Sequence, residues 1–354
     1  MRILIRAFAI DLMKEDLPKK EEQVGVHVDP IHVSPEMAVA EAEVISAEEG
    51  ELVAGTSLWK DAWRRLLKNK LAVFGLVVVI LITIGAIIGP WIIRATTGYT
   101  YDYIPSDANL IRSLPPFRGA DGSFSWAHPM GTDNSGRDML ARVLLGGRIS
   151  LMVGIISTIV SLLIGVAYGA VAGYLGGRVD TVMMRLVDVL YSLPYIILVI
   201  VLLAMFRSST PTGQLFLLFV ALGAVSWLTM ARIVRGQILS LKNQEFVLAA
   251  RATGVSTLRI IFRHLVPNAL GPVIVYTTLT IPSVMLSEAF LSFLGLGVQP
   301  PLASWGSLAA DGIQNLAIFP WQLLFPGATM AVTLFSLNFL GDGLRDALDP
   351  QMRM

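Results

Sequence analysis

The feature that most constrains this chain is a series of long apolar segments separated by polar ones. The first of them, residues 71–93, contains 23 residues and no charged side chain. A helix of about 20 apolar residues is long enough to cross the roughly 30 Å hydrocarbon core of a bilayer. Because this pattern recurs along the chain, the sequence predicts an all-α integral membrane protein.

We predict six transmembrane helices and no separate soluble domain. The spans are expected at residues 71–93, 149–173, 186–206, 215–233, 269–291 and 321–340. Basic residues cluster before the first span and in the loop 234–268 with its flanks. This loop and its flanks contain six basic residues and one acidic residue, Glu245. The positive-inside rule places these segments and both termini in the cytoplasm. The long outer loop 94–148 carries arginines as well, but it has no lysine and also contains acids.

The composition supports a membrane protein and argues against several functions. Only 15% of the 354 residues are charged and 54% are hydrophobic, whereas a soluble protein is about 25% charged. The net charge of +1 implies no attraction to nucleic acid. The chain has no cysteine, its four histidines are scattered, and it lacks the GxxxxGK[ST] phosphate-binding pattern. We therefore expect no catalytic, metal or cofactor-binding residue in this chain.

Two segments precede the first span. Residues 1–56 hold twelve acidic and five basic side chains, and this composition predicts a disordered cytoplasmic tail. Its opening residues are not expected to act as a signal peptide, because Arg6 and Asp11 interrupt a short apolar run. Residues 57–70 place Trp63 and Leu67 among lysines and arginines, which predicts an interfacial amphipathic helix on the lipid of the cytoplasmic leaflet. Residues 71–354 form the six-span domain.

The loop 234–268 contains the segment EFVLAARATGVSTLRIIFRHLVPN, which begins at Glu245. Glu245 lies in the first turn of a predicted helix, where a carboxylate suits the helix dipole. Gly254 is expected to end that helix with a positive φ. One face is expected to carry small apolar side chains toward a partner: Phe246, Ala249, Ala250 and Thr253.

A second short helix is predicted after Gly254. Ser256 is its expected N-cap, with Val255 and Ile260 as a hydrophobic staple. Pro267 closes the segment before the next apolar run. With Arg251, Arg259 and Arg263, the two helices predict a docking surface at the membrane rather than an active site.

The spacing of Ala249-Ala250, Gly254 and Pro267 resembles the EAA loop of bacterial ABC-importer permeases, EAA-x3-G-x9-I-x-LP. Leu248, His264 and Val266 depart from that pattern at its glutamate, isoleucine and leucine positions. The sequence AARATGVS…RHLVPN is similar to the corresponding sequences of the dipeptide/oligopeptide/nickel branch. The alternative is an ordinary cytoplasmic loop. The resemblance implies a coupling role for a set of residues: Glu245, Ala249, Ala250, Arg251, Gly254, Ser256, Arg263 and Pro267.

Two more regions resemble the same branch, so that the resemblance covers residues 57–354. They are HPMGTDNSGRDMLARVLLGGRIS in the first outer loop and FLGLG-x-x-PP-x-x-SWG after the fifth span. The resemblance implies the second type of permease subunit in a bacterial inner-membrane importer. It also implies a homologous second permease subunit, cytoplasmic ATPase subunits that bind ATP and Mg, and an extracytoplasmic solute-binding protein. Alternating access is the implied mechanism.

Ionisable and polar groups within the spans are candidates for the transport path or its gate. Asp188 is expected either to pair with Arg185, one turn earlier, or to act in gating. Glu288 is expected near the outer interface, either solvated or facing the path. Asn338 is expected to bond to another helix.

Two other patterns suggest structural roles. Asp133, Arg137, Asp138 and Arg142 form either a ligand cluster or, as we expect, a network that anchors the outer loop. Gly165 and its repeats at 169 and 173 predict a small face for close helix packing, with pore lining as the alternative.

Two rival functions belong to other classes. An ion-coupled secondary transporter should show internal repeats or facing interrupted helices, and no such repeat is visible. A polytopic membrane enzyme needs a catalytic cluster at one depth, which the scattered histidines do not provide.

Overall fold

A computed structural model describes residues 58–106 and 111–348 of the chain. The predicted acidic tail 1–56 therefore lies outside the described residues. The described part is helical and contains no β-strand, only two isolated bridges in the outer loop, Arg118–Phe124 and Thr132–Asp138. We name residues 245–268 the coupling segment. The helices before it are α1 (Leu58–Lys68), α2 (Lys70–Thr97), α3 (Met139–Leu175), α4 (Gly177–Tyr191), α5 (Tyr195–Met205) and α6 (Pro211–Leu241).

The remaining helices include a short π-helical stretch, Ile260–Leu265, that joins α8 to α9. They are α7 (Glu245–Ala252), α8 (Thr257–Arg259), α9 (Val266–Asn268), α10 (Leu270–Phe293), α11 (Trp305–Ile313) and α12 (Trp321–Leu348).

Five of these helices are long and apolar enough to cross a membrane: α2, α3, α6, α10 and α12. A sixth span is present only if α4 and α5 are counted as one, and they are bent by 88°. The predicted span 186–206 is therefore not one straight helix, since it is interrupted between Tyr191 and Tyr195. Pro194 explains the break, because proline disfavours the helical conformation of the residue before it and has no N–H to donate.

Capping side chains define where several helices begin. Asn69 accepts hydrogen bonds from the backbone N–H groups of Leu71 and Ala72 at the start of α2. Asp138 accepts from Ala141 at the start of α3, so this helix begins well before the predicted boundary at residue 149. Such caps satisfy N–H groups that a helix leaves unpaired at its first turn.

The core is formed where α3 lies along α6. Gly169 faces α6 so closely that a Cβ atom there would clash with the carbonyl oxygen of Ala231. The prediction of a packing face at positions 165, 169 and 173 is confirmed. Large buried residues of α6, including Leu218, Leu222 and Met230, fill the same interface.

The first helix, α1, has two different faces. Ala62 and Leu66 are buried against Leu344 and Ala347 of α12. Trp63 and Leu67 are exposed on the other side. The helix is therefore amphipathic, and its position at the membrane interface stays a prediction.

Candidate coupling site

The helix α7 is oriented by its two buried residues. Val247 is fully buried and Ala250 is 9% exposed, and both pack against Ile260 and Ile261 in one apolar cluster. Ala249, by contrast, is exposed. The expected shared face is therefore wrong for Ala250, which faces its own subunit. The reason is that Val247, the larger apolar side chain, lies three residues before Ala250, so burial of one buries both.

The turn after α7 takes the predicted form. Gly254 has φ +75°, and its N–H donates to the carbonyl oxygen of Arg251 at 3.0 Å. The N–H of Val255 donates to the carbonyl of Ala250 at 3.1 Å. A glycine adopts this left-handed conformation without the steric cost of a Cβ atom. The prediction of a positive φ at Gly254 is confirmed.

Ser256 begins α8 without a side-chain cap. Its backbone is extended, with φ −64° and ψ 147°, but its hydroxyl makes no capping hydrogen bond. Instead, the carbonyl oxygen of Ser256 accepts from the N–H of Ile260 at 3.0 Å. The predicted side-chain cap is therefore wrong, although the helix boundary agrees. Pro267 lies in the short α9 and is exposed.

The π-helical stretch turns three apolar residues inward. Ile260, Ile261 and Leu265 are all buried against α3 and α6. A π-helix has more residues per turn than an α-helix, so positions i, i+1 and i+5 share a face. As a result, Phe262 and Arg263 are directed away from the core and are exposed.

The outer face of this segment combines apolar and cationic side chains. We name it the coupling surface and define it by its exposed residues: Glu245, Leu248, Ala249, Leu258, Arg259, Phe262 and Arg263. Leu258 is 65% exposed and Leu248 is 50% exposed. From the sequence, Leu248 was noted only as a departure from the EAA pattern and Leu258 was not noted, although both are bulky apolar residues in a charged segment. Exposed apolar groups beside arginine are typical of a protein interface.

Arg251 lies beside this surface and is held by its own subunit. Its Nε donates to the hydroxyl oxygen of Tyr174 at 3.2 Å, and its guanidinium lies 4.9 Å from the centre of the Tyr174 ring. Arg251 therefore attaches α7 to the end of α3.

Asp188 has a different partner from the one expected. Its carboxylate accepts a hydrogen bond from Arg232 of α6 at 2.8 Å, not from Arg185. Arg232 also lies 4.0 Å from the centre of the Tyr191 ring. A second pair, Arg235 with Asp180, lies on the same two helices. Two ion pairs thus join α4 to α6 before the break.

Glu288 is buried rather than solvated. It is 1% exposed, and its carboxylate accepts hydrogen bonds from Ser292 and Ser304, each at 2.6 Å. Because Ser304 also caps α11 by accepting from Ser307, Glu288 anchors that helix. Both expectations for Glu288, solvation and a position facing the path, are replaced by this internal role.

Asn338 does not make the expected bond between helices. Its Nδ2 donates to the carbonyl oxygen of Leu334 in its own helix at 2.9 Å, and its side chain is exposed. A donor four residues along a helix reaches that carbonyl without any neighbour. The hydrogen bond of this side chain is therefore made within α12.

The charged residues of the outer loop form the structural network that we expected. Asp133 accepts from Arg137 at 2.7 Å and from Arg142 at 2.5 Å. Asp138 both caps α3 and lies 2.8 Å from Nδ1 of His128. Within residues 58–106 and 111–348, no group of His, Cys, Asp and Glu has the arrangement of a metal site. The carboxylates thus serve the loop itself.

Two family descriptions match the chain. Residues 57–116 match the N-terminal transmembrane domain of oligopeptide transport permease C. Residues 165–354 match the binding-protein-dependent transport system inner membrane component.

Several curated proteins are similar over most of their length. The oligopeptide transport system permease protein OppC of Escherichia coli (strain K12) is 50% identical over 301 residues, which cover 85% of this chain and 94% of the relative. OppC of Haemophilus influenzae is 47% identical over 84% of this chain and 90% of its own. The dipeptide permease protein DppC of Bacillus subtilis is 45% identical over 84% and 87%.

A solved structure, an inward-facing conformation of the MetNI methionine ABC transporter, has a TM-score of 0.48 and 20% identity over 58% of this chain and 96% of that chain. The family models match residues 57–116 and 165–354. The similarity to OppC of Escherichia coli covers most of that protein. The chain belongs to the family of binding-protein-dependent transport system inner membrane components, the permease subunits of ABC importers.

Proposed function

We propose that this permease subunit moves peptides into the cytoplasm and receives the energy of ATP hydrolysis through the coupling surface. Membership of the family makes the chain a transport subunit and not itself an enzyme, so the rival assignments as a secondary transporter or a membrane enzyme are set aside. The names of the relatives, oligopeptide and dipeptide permeases, support peptides as the solute.

The partners follow from the same proposal. A homologous second permease subunit completes the path, because six helices of one chain rarely enclose a channel wide enough for a peptide. Cytoplasmic ATPase subunits bind ATP and Mg and contact the coupling surface. An extracytoplasmic solute-binding protein delivers the peptide. Membrane lipid surrounds the spans, and no nucleic acid takes part.

The orientation places the coupling surface and both termini in the cytoplasm of a bacterium. The basic residues around residues 57–70 and 234–268 support this side. Since the chain has no cysteine, Ser256→Cys should react with an impermeant maleimide only after the cells are permeabilised. Labelling of intact cells at position 256 would contradict the orientation.

The observation that carries the coupling role is the solvent-facing group of Leu248, Leu258 and Phe262. They lie on α7, on α8 and on the π-helical stretch, on either side of the turn at Gly254. The buried residues of α7 and of the π-helical stretch pack on α3 and α6. Movement of an attached ATPase would therefore be passed to the two helices that form the core of the subunit.

Substitution Gly254→Val tests this role. A β-branched residue at φ +75° costs about 1 kcal/mol or more and would tilt α8 relative to α7. No atom lies close enough to clash with an added Cβ atom, so the subunit should still insert. We expect uptake of a labelled dipeptide to be abolished and copurification of the ATPase subunits to fall.

The matched control is Ser240→Ala, an exposed position on α6 outside the coupling surface, which should be nearly silent. If Gly254→Val transported at the wild-type rate with its ATPase attached, the coupling role would be wrong. Growth of a deletion strain on dipeptides, longer peptides or nickel then identifies the solute.

A further inference from the structure

A cavity of about 650 Å³ lies beside the break between α4 and α5. Its walls are residues 190–195 at the break, residues 225–229 of α6 and residues 276–287 of α10. Ser226 is the central residue of the 31-residue helix α6, and Tyr276 and Ser287 each lie six residues from an end of α10. The cavity is therefore centred at the mid-depth of two spans.

The α10 wall of this cavity is a stripe of hydroxyl groups. Tyr276, Thr280, Ser283 and Ser287 line it and follow one another at i, i+4, i+7 and i+11. That spacing places all four on one face of the helix. Thr280, Ser283 and Ser287 donate to carbonyl groups of their own helix. Against lipid, the acceptor capacity of these oxygens and the Tyr276 hydroxyl would find no hydrogen-bond partner.

These hydroxyl groups keep capacity to bind a further molecule. Thr280 donates to the carbonyl of Tyr276 at 2.8 Å, and Ser287 donates to that of Ser283 at 2.9 Å. Each has thus used its proton within the helix, and its oxygen can still accept. The Tyr276 hydroxyl makes no hydrogen bond to any residue that the structure describes, so it can donate.

The opposite wall combines hydroxyl groups with apolar side chains, and the cavity lining as a whole is more apolar than polar. On α6, Ser226 and Thr229 line the cavity, and the Tyr195 hydroxyl oxygen at the start of α5 lies 3.3 Å from that of Ser226. The lining residues that the structure describes include no Asp, Glu, Lys, Arg or His. A cavity of this kind offers hydrogen bonds without selecting a net charge.

The break between α4 and α5 is a further reason, beside the hydroxyl groups of α10 and α6, to expect water or a polar solute in the cavity. Between Tyr191 and Tyr195 the chain leaves the helix, and Ser192, Leu193 and Pro194 line the cavity. Backbone outside a helix is tolerated at membrane depth only where protein buries it or where it borders a polar space. Here Leu193 and Pro194 are exposed in this subunit.

We propose that this cavity is the midplane section of the solute path and that it binds the main-chain amides of an extended peptide through its hydroxyl groups. This inference rests on the proposed peptide function. Hydroxyl oxygens accept from peptide N–H groups, and the Tyr276 hydroxyl donates to peptide carbonyls. Because the backbone is common to all peptides, such a site passes cargo of many sequences and of either charge.

The first test measures uptake of radiolabelled tri-L-alanine by cells that contain the complete importer. The triple variant Tyr276→Phe/Thr280→Val/Ser287→Ala removes hydroxyl groups and changes little volume. We expect its KM for uptake to rise roughly tenfold, the effect of losing one or two net hydrogen bonds. Uptake of tri-lysine and triglutamate should fall by similar factors.

The matched control is Thr83→Val in α2. The Thr83 hydroxyl donates to its own helix at 2.7 Å, as Thr280 does at 2.8 Å, but it lies outside the cavity. It should leave uptake unchanged. A backbone N-methylated tri-L-alanine should compete poorly in the wild type, and this disadvantage should shrink in the triple variant. Wild-type uptake by an inserted triple variant would overturn the assignment.

A second test does not depend on the solute. Ser283→Cys should react with a water-soluble methanethiosulfonate reagent in membranes, whereas Thr83→Cys should not. An unreactive Ser283→Cys overturns the path assignment even if peptides are transported. Conversely, the importer could label at Ser283→Cys and yet take up no peptide. That result would refute the peptide function and leave the assignment of a water-filled path in place. The two failures are therefore distinguishable.

Discussion

The outer loop and the coupling segment contain the same types of charged residue and use them in opposite ways. In the outer loop, Asp133 holds Arg137 and Arg142, and the side chains of Asp133 and Arg142 are buried. In the coupling segment, Arg259 and Arg263 are exposed, and among the described residues neither is paired with a carboxylate. The first region satisfies its charges internally, whereas the second leaves them for a partner.

This difference separates residues that hold the fold from residues that serve contact with a partner. A buried ion pair is costly to break on one side, because the remaining charge is left without compensation. An exposed arginine contributes little to folding. The two regions should therefore respond very differently to loss of charge.

The largest effect on stability is expected for Asp133→Asn. The substitution removes the hydrogen-bonded carboxylate of the buried Arg142 and leaves only the exposed carboxylate of Asp311, 3.9 Å away. The cost approaches the roughly 3–5 kcal/mol of breaking a buried ion pair on one side. Thermal unfolding in detergent and the amount of inserted protein both report this loss. The control is Asp121→Asn, since Asp121 is an exposed loop residue that bonds to Ser123; it should leave thermal stability nearly unchanged. Equal effects at the two positions would remove the contrast between buried and exposed charge.

An intermediate effect is expected for Ala250→Glu. Ala250 is buried in the cluster with Val247 and Ile260, so the added volume alone costs about 1–3 kcal/mol. Ala249→Glu, one residue earlier, points outward and should leave thermal stability unchanged while it weakens copurification of the ATPase. If both variants lost stability equally, the orientation of α7 would be wrong.

The smallest effect on folding is expected for the double variant Arg259→Gln/Arg263→Gln. Its thermal stability should stay within about 0.5 kcal/mol of wild type, because both side chains are exposed. Copurification of the ATPase should nevertheless fall, and its dependence on salt concentration should become weaker. If the double variant lost much stability while copurification of the ATPase stayed unchanged, these arginines would serve folding and not contact with a partner.

Several local features could be predicted from the sequence because they depend on neighbouring residues. The left-handed turn at Gly254 and the glycine face of α3 follow from the absence of a Cβ atom. The outer network around Asp133 also follows, since its carboxylates and arginines lie within a few residues of each other.

Other features were missed although a signal was present. The hydroxyl stripe from Tyr276 to Ser287 has a helical period that can be read directly from the sequence. Attention to ionisable groups alone led instead to Asp188, Glu288 and Asn338. Each of these is satisfied within the subunit, by an arginine of a neighbouring helix, by two serines or by its own helix.

By itself, the sequence determined that this protein crosses a membrane with helices, since the length and apolarity of each segment set its free energy of transfer into lipid. It also determined the turn at Gly254, which depends on one residue. Only the tertiary structure decided how each helix is rotated and which partner each polar group meets. Ala250 is buried because α7 packs into one cluster with Ala170 of α3 and Val234 of α6, and Glu288 is enclosed because α11 returns to it. These outcomes depend on contacts between distant segments, and no local pattern contains them.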